Sequence, residues 1–239
     1  LGLLGLGVAA LAVTALVQYF GYPEAYGYRA PGPLLNPNNL AALFNLFLLP
    51  SLALALTTPW ARRWGPAAGL VVLLFAGVVA TQSRGAAIGL AVGVVLLVAL
   101  LHGHPRWRWR RLLGLAVACA AVFAVMDGYA GAELSRRVET LGAIGAEGSF
   151  QTRLLIWGSA WDMVRDHPSL GTGLGTFFLF YPRYRVPGDG SGGFYAHMDP
   201  LQFWAETGVL GPLLFYVVLT AILVRTLRAH GRGGVAAPG

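Results

Sequence analysis

Residues 66–101 read PAAGLVVLLFAGVVATQSRGAAIGLAVGVVLLVALL. Two apolar runs, Pro66–Thr81 and Ala86–Leu101, are parted only by Gln82-Ser83-Arg84-Gly85. Each run is slightly shorter than the roughly 20 apolar residues a helix needs to cross the hydrocarbon. The pattern predicts a tight helical hairpin in a membrane, with Arg84 at its tip. Gly85, Gly89 and Gly93 recur every four residues along the second arm and so share one face. Small residues at that spacing let another helix come close.

Outward from the hairpin, four more segments are apolar enough to span: Leu1–Phe20, Leu40–Thr58, Leu112–Met126 and one from about Leu201 to Val224. Pro50 falls inside the second of these, and a neighbouring helix could satisfy the carbonyl it frees. The expected fold class is therefore all-α: a polytopic transmembrane helical bundle of about six spans. Residues 1–239 form one membrane-embedded domain in this reading, with 128–200 as a long, partly helical outer loop. The chain is 56% hydrophobic and only 11% charged, where a soluble domain carries about 25%. It opens at Leu1 inside an apolar run, which reads as a piece of a longer protein. No small-residue cleavage site follows that run, so a cleavable signal peptide is not expected.

Charge sorts along the chain. The net charge is +7, and all 17 basic residues are arginine. Arg62, Arg63, Arg106, Arg108, Arg110, Arg111, Arg225, Arg228 and Arg232 flank spans on one side, with no acid among them. Short loops rich in arginine stay in the cytoplasm. Trp60, Trp64, Trp107 and Trp109 sit beside them, as an interfacial belt would. The other eight arginines and all ten acidic residues then lie outside. This division fits membrane lipids as a partner and not nucleic acid, although basic chains often bind the latter. Cys119 is the single cysteine, so no disulfide framework or thiolate metal site is expected.

Two outer segments are long. Gly21–Asn39 ends in Asn36-Pro37-Asn38-Asn39, a turn-and-cap signal. The second runs from Gly128 to Pro200, longer than a plain connection needs to be. Within it, Phe150, Leu154, Trp157, Trp161 and Val164 form a helical stripe over 150–167, stopped by Pro168. Trp157, Trp161 and Met163 suit a helix lying at the interface. Gly171-Thr172-Gly173-Leu174-Gly175 has the wrong spacing for a dinucleotide fingerprint, and no Walker sequence occurs. Nucleotide chemistry is therefore rejected. No cofactor is expected, and no spacing of ligands suits a metal.

Several polar residues have two readings. Arg84 is either a snorkelling anchor or a fork for phosphate oxygens. Arg153 lies near a helix start, where a cation is unfavourable; it meets either an outer carboxylate or an anionic ligand. Arg29 is a further anion-binding candidate, and Arg183 and Arg185 are either substrate contacts or ordinary loop charges. His197 could take a proton from a hydroxyl group, oriented by Asp199 or Glu206. Alternatively, His197 and Asp199 cap the helix that follows.

In order along the chain stand Arg29…Asn36-Pro37-Asn38, Ser83-Arg84-Gly85-Ala86, Arg153…Trp157, Pro168…Gly171-Thr172-Gly173…Phe177 and His197…Leu201…Glu206…Gly208. On a polytopic chain this series resembles the O-antigen ligase family, which includes O-antigen polymerases and protein O-oligosaccharyltransferases. The resemblance implies a membrane glycosyltransferase of GT-C-like class. Such an enzyme moves a glycan from a polyprenyl (undecaprenyl) diphosphate carrier to an acceptor hydroxyl. The acceptor is a glycan, a lipid A core or a protein, at the periplasmic face of the bacterial inner membrane. Full members usually carry more spans than this chain. By the same resemblance Arg84 and Arg153 hold the diphosphate, and His197 helps activate the acceptor. Many ligases have Asn directly after that histidine; here Met198 and Asp199 follow. The competing class is a transporter or flippase of lipid-linked glycans, but such proteins place their sites at the midplane of repeated halves, and no repeat is evident.

Overall fold

The computed structural model describes residues 2–58, 61–139 and 148–233. Trp60 and Glu147 lie outside them, as do the side chains of Arg62, Arg63, Arg137 and Arg232. The described residues form helices and loops with no strand. The chain divides into two compact units, Leu1–Gly142 and Ala143–Gly239, and the division falls inside the long segment expected as a single outer loop.

The first unit contains α1 (Gly2–Gly21), a short α2 (Pro23–Tyr26), α3 (Pro37–Thr57), α4 (Ala61–Thr81), α5 (Arg84–Leu101), α6 (Trp109–Tyr129) and a short α7 (Glu133–Glu139). Five of these, α1, α3, α4, α5 and α6, are long and apolar enough to cross a membrane. Their limits follow from the sequence. Asn36 caps α3 through its side-chain oxygen, which accepts from the N–H groups of Asn38 at 2.9 Å and Asn39 at 3.3 Å. Pro37 stands where a missing N–H does no harm. The helix runs through Pro50 unbroken and stops at Thr57. Thr58 is extended, as the residue before a proline tends to be. Ser83 caps α5 in the same manner as Asn36.

The first unit is held by close approach. Lipid tails are as apolar as leucine, so burying apolar surface gives little drive between helices, and dispersion contacts decide the packing. A Cβ on Gly77 of α4 would lie 2.7 Å from the Phe44 ring on α3. One on Gly93 of α5 would lie 2.6 Å from Leu49. The glycine face of α5 is thus turned to α3, but it works through Gly93 and Gly89; Gly85 has open space beside it. Leu40, Phe44, Leu74 and Tyr19 are fully buried in the core. Ile88, Val92, Val95, Leu96 and Leu100 of α5 stay exposed, as lipid-facing positions do. The phenol of Tyr19 donates to Met126 O at 2.9 Å and that of Tyr129 to Phe20 O at 2.7 Å, tying α1 to α6. Where α3 ends, Arg111 donates to Ala55 O at 3.1 Å and Thr58 O at 2.6 Å while lying over the Trp64 ring. One arginine of the basic group therefore satisfies terminal carbonyls of a helix.

The second unit contains α8 (Gly148–Asp166), a four-residue α9 (Phe177–Phe180), α10 (Asp199–Thr207) and α11 (Leu210–Gly233). It corrects three expectations. A continuous span from Leu201 does not form: the chain turns at Gly208, with φ +63, and restarts at Leu210. The physical reason is local, since Val209 N–H donates to Pro168 O at 2.9 Å and not back along a helix. Among the described residues the apolar part of α11 is Leu210–Arg225. Second, the buried face of α8 is Ile156, Ala160, Met163 and Val164, while Leu154 and Trp161 are exposed. The stripe expected from the sequence is rotated by about one residue, because the wide tryptophans pack at the edge of the core and not in it. Third, α8 begins at Gly148, so Arg153 stands beyond the first turn, where the dipole acts weakly.

Candidate functional site

In the first unit the polar residues gather around the α4–α5 turn. Ala30 N–H donates to Ala80 O at 2.9 Å, which lays the segment before α3 against the end of α4. Arg29 then donates from Nε to Thr81 O at 3.3 Å and from a terminal nitrogen to Asn38 Oδ1 at 3.1 Å. The Ser83 hydroxyl donates to the same Asn38 oxygen at 2.9 Å. Arg29 and Ser83, far apart in the chain, thus share one acceptor. Ser83 leads directly into the partly buried Arg84 at the first position of α5. The structure therefore brings Arg29, Asn38, Ser83 and the start of α5 together.

That turn closes one end of a cavity of about 580 Å³. Its walls are apolar, with Leu48, Phe75, Leu115 and Phe123 among them, and its polar lining is Gln82, Ser83 and Arg84. Gln82 is 7% exposed, and neither its Nε2 nor its Oε1 has a hydrogen-bond partner among the described residues. Its backbone is left-handed, at φ +51. Sequence reasoning passed over Gln82. A glutamine in a polar tetrapeptide looks solvated, and only the packing shows that it is enclosed.

In the second unit the elements that carry Arg153 and His197 are locked by hydrogen bonds. Trp157, one turn beyond Arg153, donates from Nε1 to Ala196 O at 2.9 Å. Ala196 N–H donates to Gln202 Oε1 at 3.0 Å. Gln202 Nε2 in turn donates to Glu206 Oε1 at 3.0 Å. Two successive peptide planes are thereby clamped immediately before His197, which itself adopts φ +54. A left-handed residue other than glycine costs roughly 1–2 kcal/mol, so the surroundings must impose it. The imidazole keeps access to solvent. Protein packed against it, and then the Arg153 charge, push its pKa below the ordinary value. The ring is accordingly neutral near pH 7 and able to accept a proton.

Glu206 takes a different place from the one expected. It is 5% exposed, and its carboxylate accepts from Gly175 N–H at 2.8 Å, Phe177 N–H at 3.2 Å and Gln202. It reaches the neighbourhood of His197 through Gln202 and the backbone, not by contact with the ring. The glycines nearby explain themselves in the same way. Thr172 and Gly173 donate to the carbonyls of Ala205 and Glu206 at 3.0 and 2.8 Å. A Cβ on Gly171, φ +67, would run into the backbone at Glu206, and one on Gly208 into the backbone at Ser169. The glycine run that superficially suggests a phosphate loop is the contact between two backbones.

Asp199 is exposed in the first turn of α10, and the capping position is Met198, which makes no side-chain cap. His197 is therefore not a cap. Arg185 is held by its own loop, donating to Asp189 O at 2.8 Å and pairing with the Asp189 carboxylate at 3.2 Å. Asp189 is buried and also accepts from Tyr181 at 2.6 Å. Burial alone would raise its pKa, but the hydrogen bonds from Tyr181 and Ser191 and the Arg185 charge bring it below the usual carboxylate range. Arg183 lies over the Phe180 ring at 5.5 Å. Among the described residues no three His, Cys, Asp or Glu side chains come together as a metal site requires.

Membrane-crossing helices with their polar groups gathered on turns and loops define a polytopic membrane protein. A family model described as O-antigen ligase matches residues 69–216, and the chain belongs to that family. No curated protein and no solved structure matches. Membership makes the activity ligase- or polymerase-type glycan transfer at a membrane. The match takes in Arg84, Arg153, His197 and Glu206, while Arg29 and Asn38 precede it.

Proposed function

We propose that this chain transfers a glycan from a polyprenyl diphosphate carrier to an acceptor hydroxyl on the periplasmic side of the bacterial inner membrane. Arginine-rich short loops and the acids on the opposite side support that orientation. The observation that carries the reading is His197, kept neutral next to Arg153 on a backbone clamped from both sides. A neutral imidazole takes the proton of the acceptor hydroxyl as that oxygen attacks the anomeric carbon. The glycosidic C–O bond to the carrier breaks, and the diphosphate leaves with its electron pair. Arg84 holds the carrier's diphosphate, since a planar guanidinium offers paired donors to phosphate oxygens. Arg153 adds positive charge for the leaving group and, through its field, keeps His197 unprotonated. Arg29 shapes the turn before Arg84 through Thr81 and Asn38. No nucleotide enters, because the carrier linkage is already activated.

The test uses purified protein in lipid nanodiscs with a polyprenyl diphosphate-linked glycan. His197→Ala should lower transfer by roughly 10²–10⁴-fold, with carrier binding retained. Arg84→Ala should lose carrier binding as well. Wild-type transfer by all of His197→Ala, Arg84→Ala and Arg153→Ala would sink the proposal. Movement of the lipid-linked glycan across the bilayer without a new glycosidic bond would favour a flippase.

A further inference from the structure

The cavity of the first unit contains one feature that the reaction as proposed does not use. Gln82 is more than nine-tenths buried at its polar end, with donor and acceptor both unmatched. Buried amides in native structures find partners, because an enclosed donor or acceptor that has left water is unfavourable. Replacing the amide by a leucine-sized apolar group would remove that defect. The backbone is also held at φ +51, a conformation that a long side chain rarely adopts. Strain and an unmatched amide at the same residue, on the wall of a cavity, are the marks of a group set out for a ligand.

The cavity also states what the ligand looks like. Its apolar walls and volume of about 580 Å³ take the head-proximal part of a long hydrocarbon chain. Arg84 at the polar end matches an anion. A carboxamide adds what a cation lacks, an acceptor. A bare phosphate can use only its Nε2; matching Oε1 requires a hydroxyl or an N–H on the ligand.

We propose that Gln82 is a specificity-determining residue for the lipid-linked donor. Its Nε2 donates to a phosphate oxygen, and its Oε1 accepts from a hydroxyl or amide N–H of the first sugar. This rests on the carrier-dependent reading above and extends it to the head group. The amide reads the junction between phosphate and sugar and so favours the sugar-bearing carrier over the empty one.

The experiment measures binding of two probes to the full chain in nanodiscs, a short-chain polyprenyl diphosphate bearing N-acetylglucosamine and the same lipid without sugar. Gln82→Leu should weaken the sugar-bearing lipid by about thirtyfold or more, the size of a lost hydrogen bond to a charged group plus one to a neutral group. The empty lipid should lose less, and the unliganded variant should melt higher than the wild type. Gln82→Glu, of the same shape, should weaken both lipids at least as much, because its carboxylate faces the diphosphate. Affinity for the sugar-bearing lipid within twofold of wild type in both variants would overturn the inference and leave the function standing. If the wild type binds neither lipid, the functional reading fails, and this inference with it.

Discussion

The α4–α5 turn and the loop before α10 present their functional groups in opposite ways. In the first, the bilayer supplies the order. Two apolar helices must lie side by side, the chain between them is two residues long, and Arg84 opens the second helix as a consequence. In the second, more than thirty residues separate α8 from α10, and nothing in their hydropathy positions His197. A buried carboxylate, a glutamine and a tryptophan hold it, with two glycines admitting backbone against backbone. A site placed by helices should tolerate changes nearby; a site placed by a hydrogen-bond network should not.

That contrast can be broken by substitution. The largest effect is expected at Gly208→Ala and Gly171→Ala. Each forces a Cβ against fixed backbone at a left-handed position, a destabilisation on the order of 3 kcal/mol. Hydrogen exchange across 168–177 should rise, and glycan transfer should fall with it. Normal exchange in both variants would show that the two backbones do not meet there. Next comes Glu206→Leu, which leaves the N–H groups of Gly175 and Phe177 without their acceptor, at roughly 2 kcal/mol. Its transfer rate should drop while affinity for the lipid carrier holds.

A subtler change sharpens the electrostatics. The His197 pKa is lowered first by burial and then by Arg153. The base form is present above that pKa and disappears as pH falls through it. Arg153→Gln removes one of the two causes, so the pKa rises and the acid limb of kcat/KM moves to higher pH. An unmoved limb would separate the two residues. The smallest effects belong to the first unit. Gly93→Ala should cost about 1 kcal/mol as Leu49 gives way, and Gly85→Ala, with open space around it, should be neutral or stabilise by about 0.5 kcal/mol in detergent melts. A loss at Gly85 as large as at Gly208 would erase the distinction between the two regions.

Much of this protein was legible before its structure. Five spanning helices, the hairpin and the Asn36 cap follow from apolar length and a short cap motif, which are properties of neighbours in the chain. His197 and Arg153 were nameable from the order of short motifs, and the structure puts them in electrostatic reach. Their support was not nameable. Trp157 reaches Ala196 across 39 residues, and Phe177 reaches Glu206 across 29. Glu206 looked like a carboxylate that orients His197, since a sequence shows a charge and not its partners.

By itself, then, the sequence determined which segments enter the bilayer and which residues carry charge to its edges, because the cost of burying polar groups in hydrocarbon adds up locally along the chain. The tertiary structure alone decided that the sixth apolar segment breaks at Gly208, which face of α8 is buried, what clamps Ala196 and that Gln82 is enclosed. Those outcomes depend on contacts between residues far apart in the chain, whose competition with local helix formation is settled only when the backbone closes on itself.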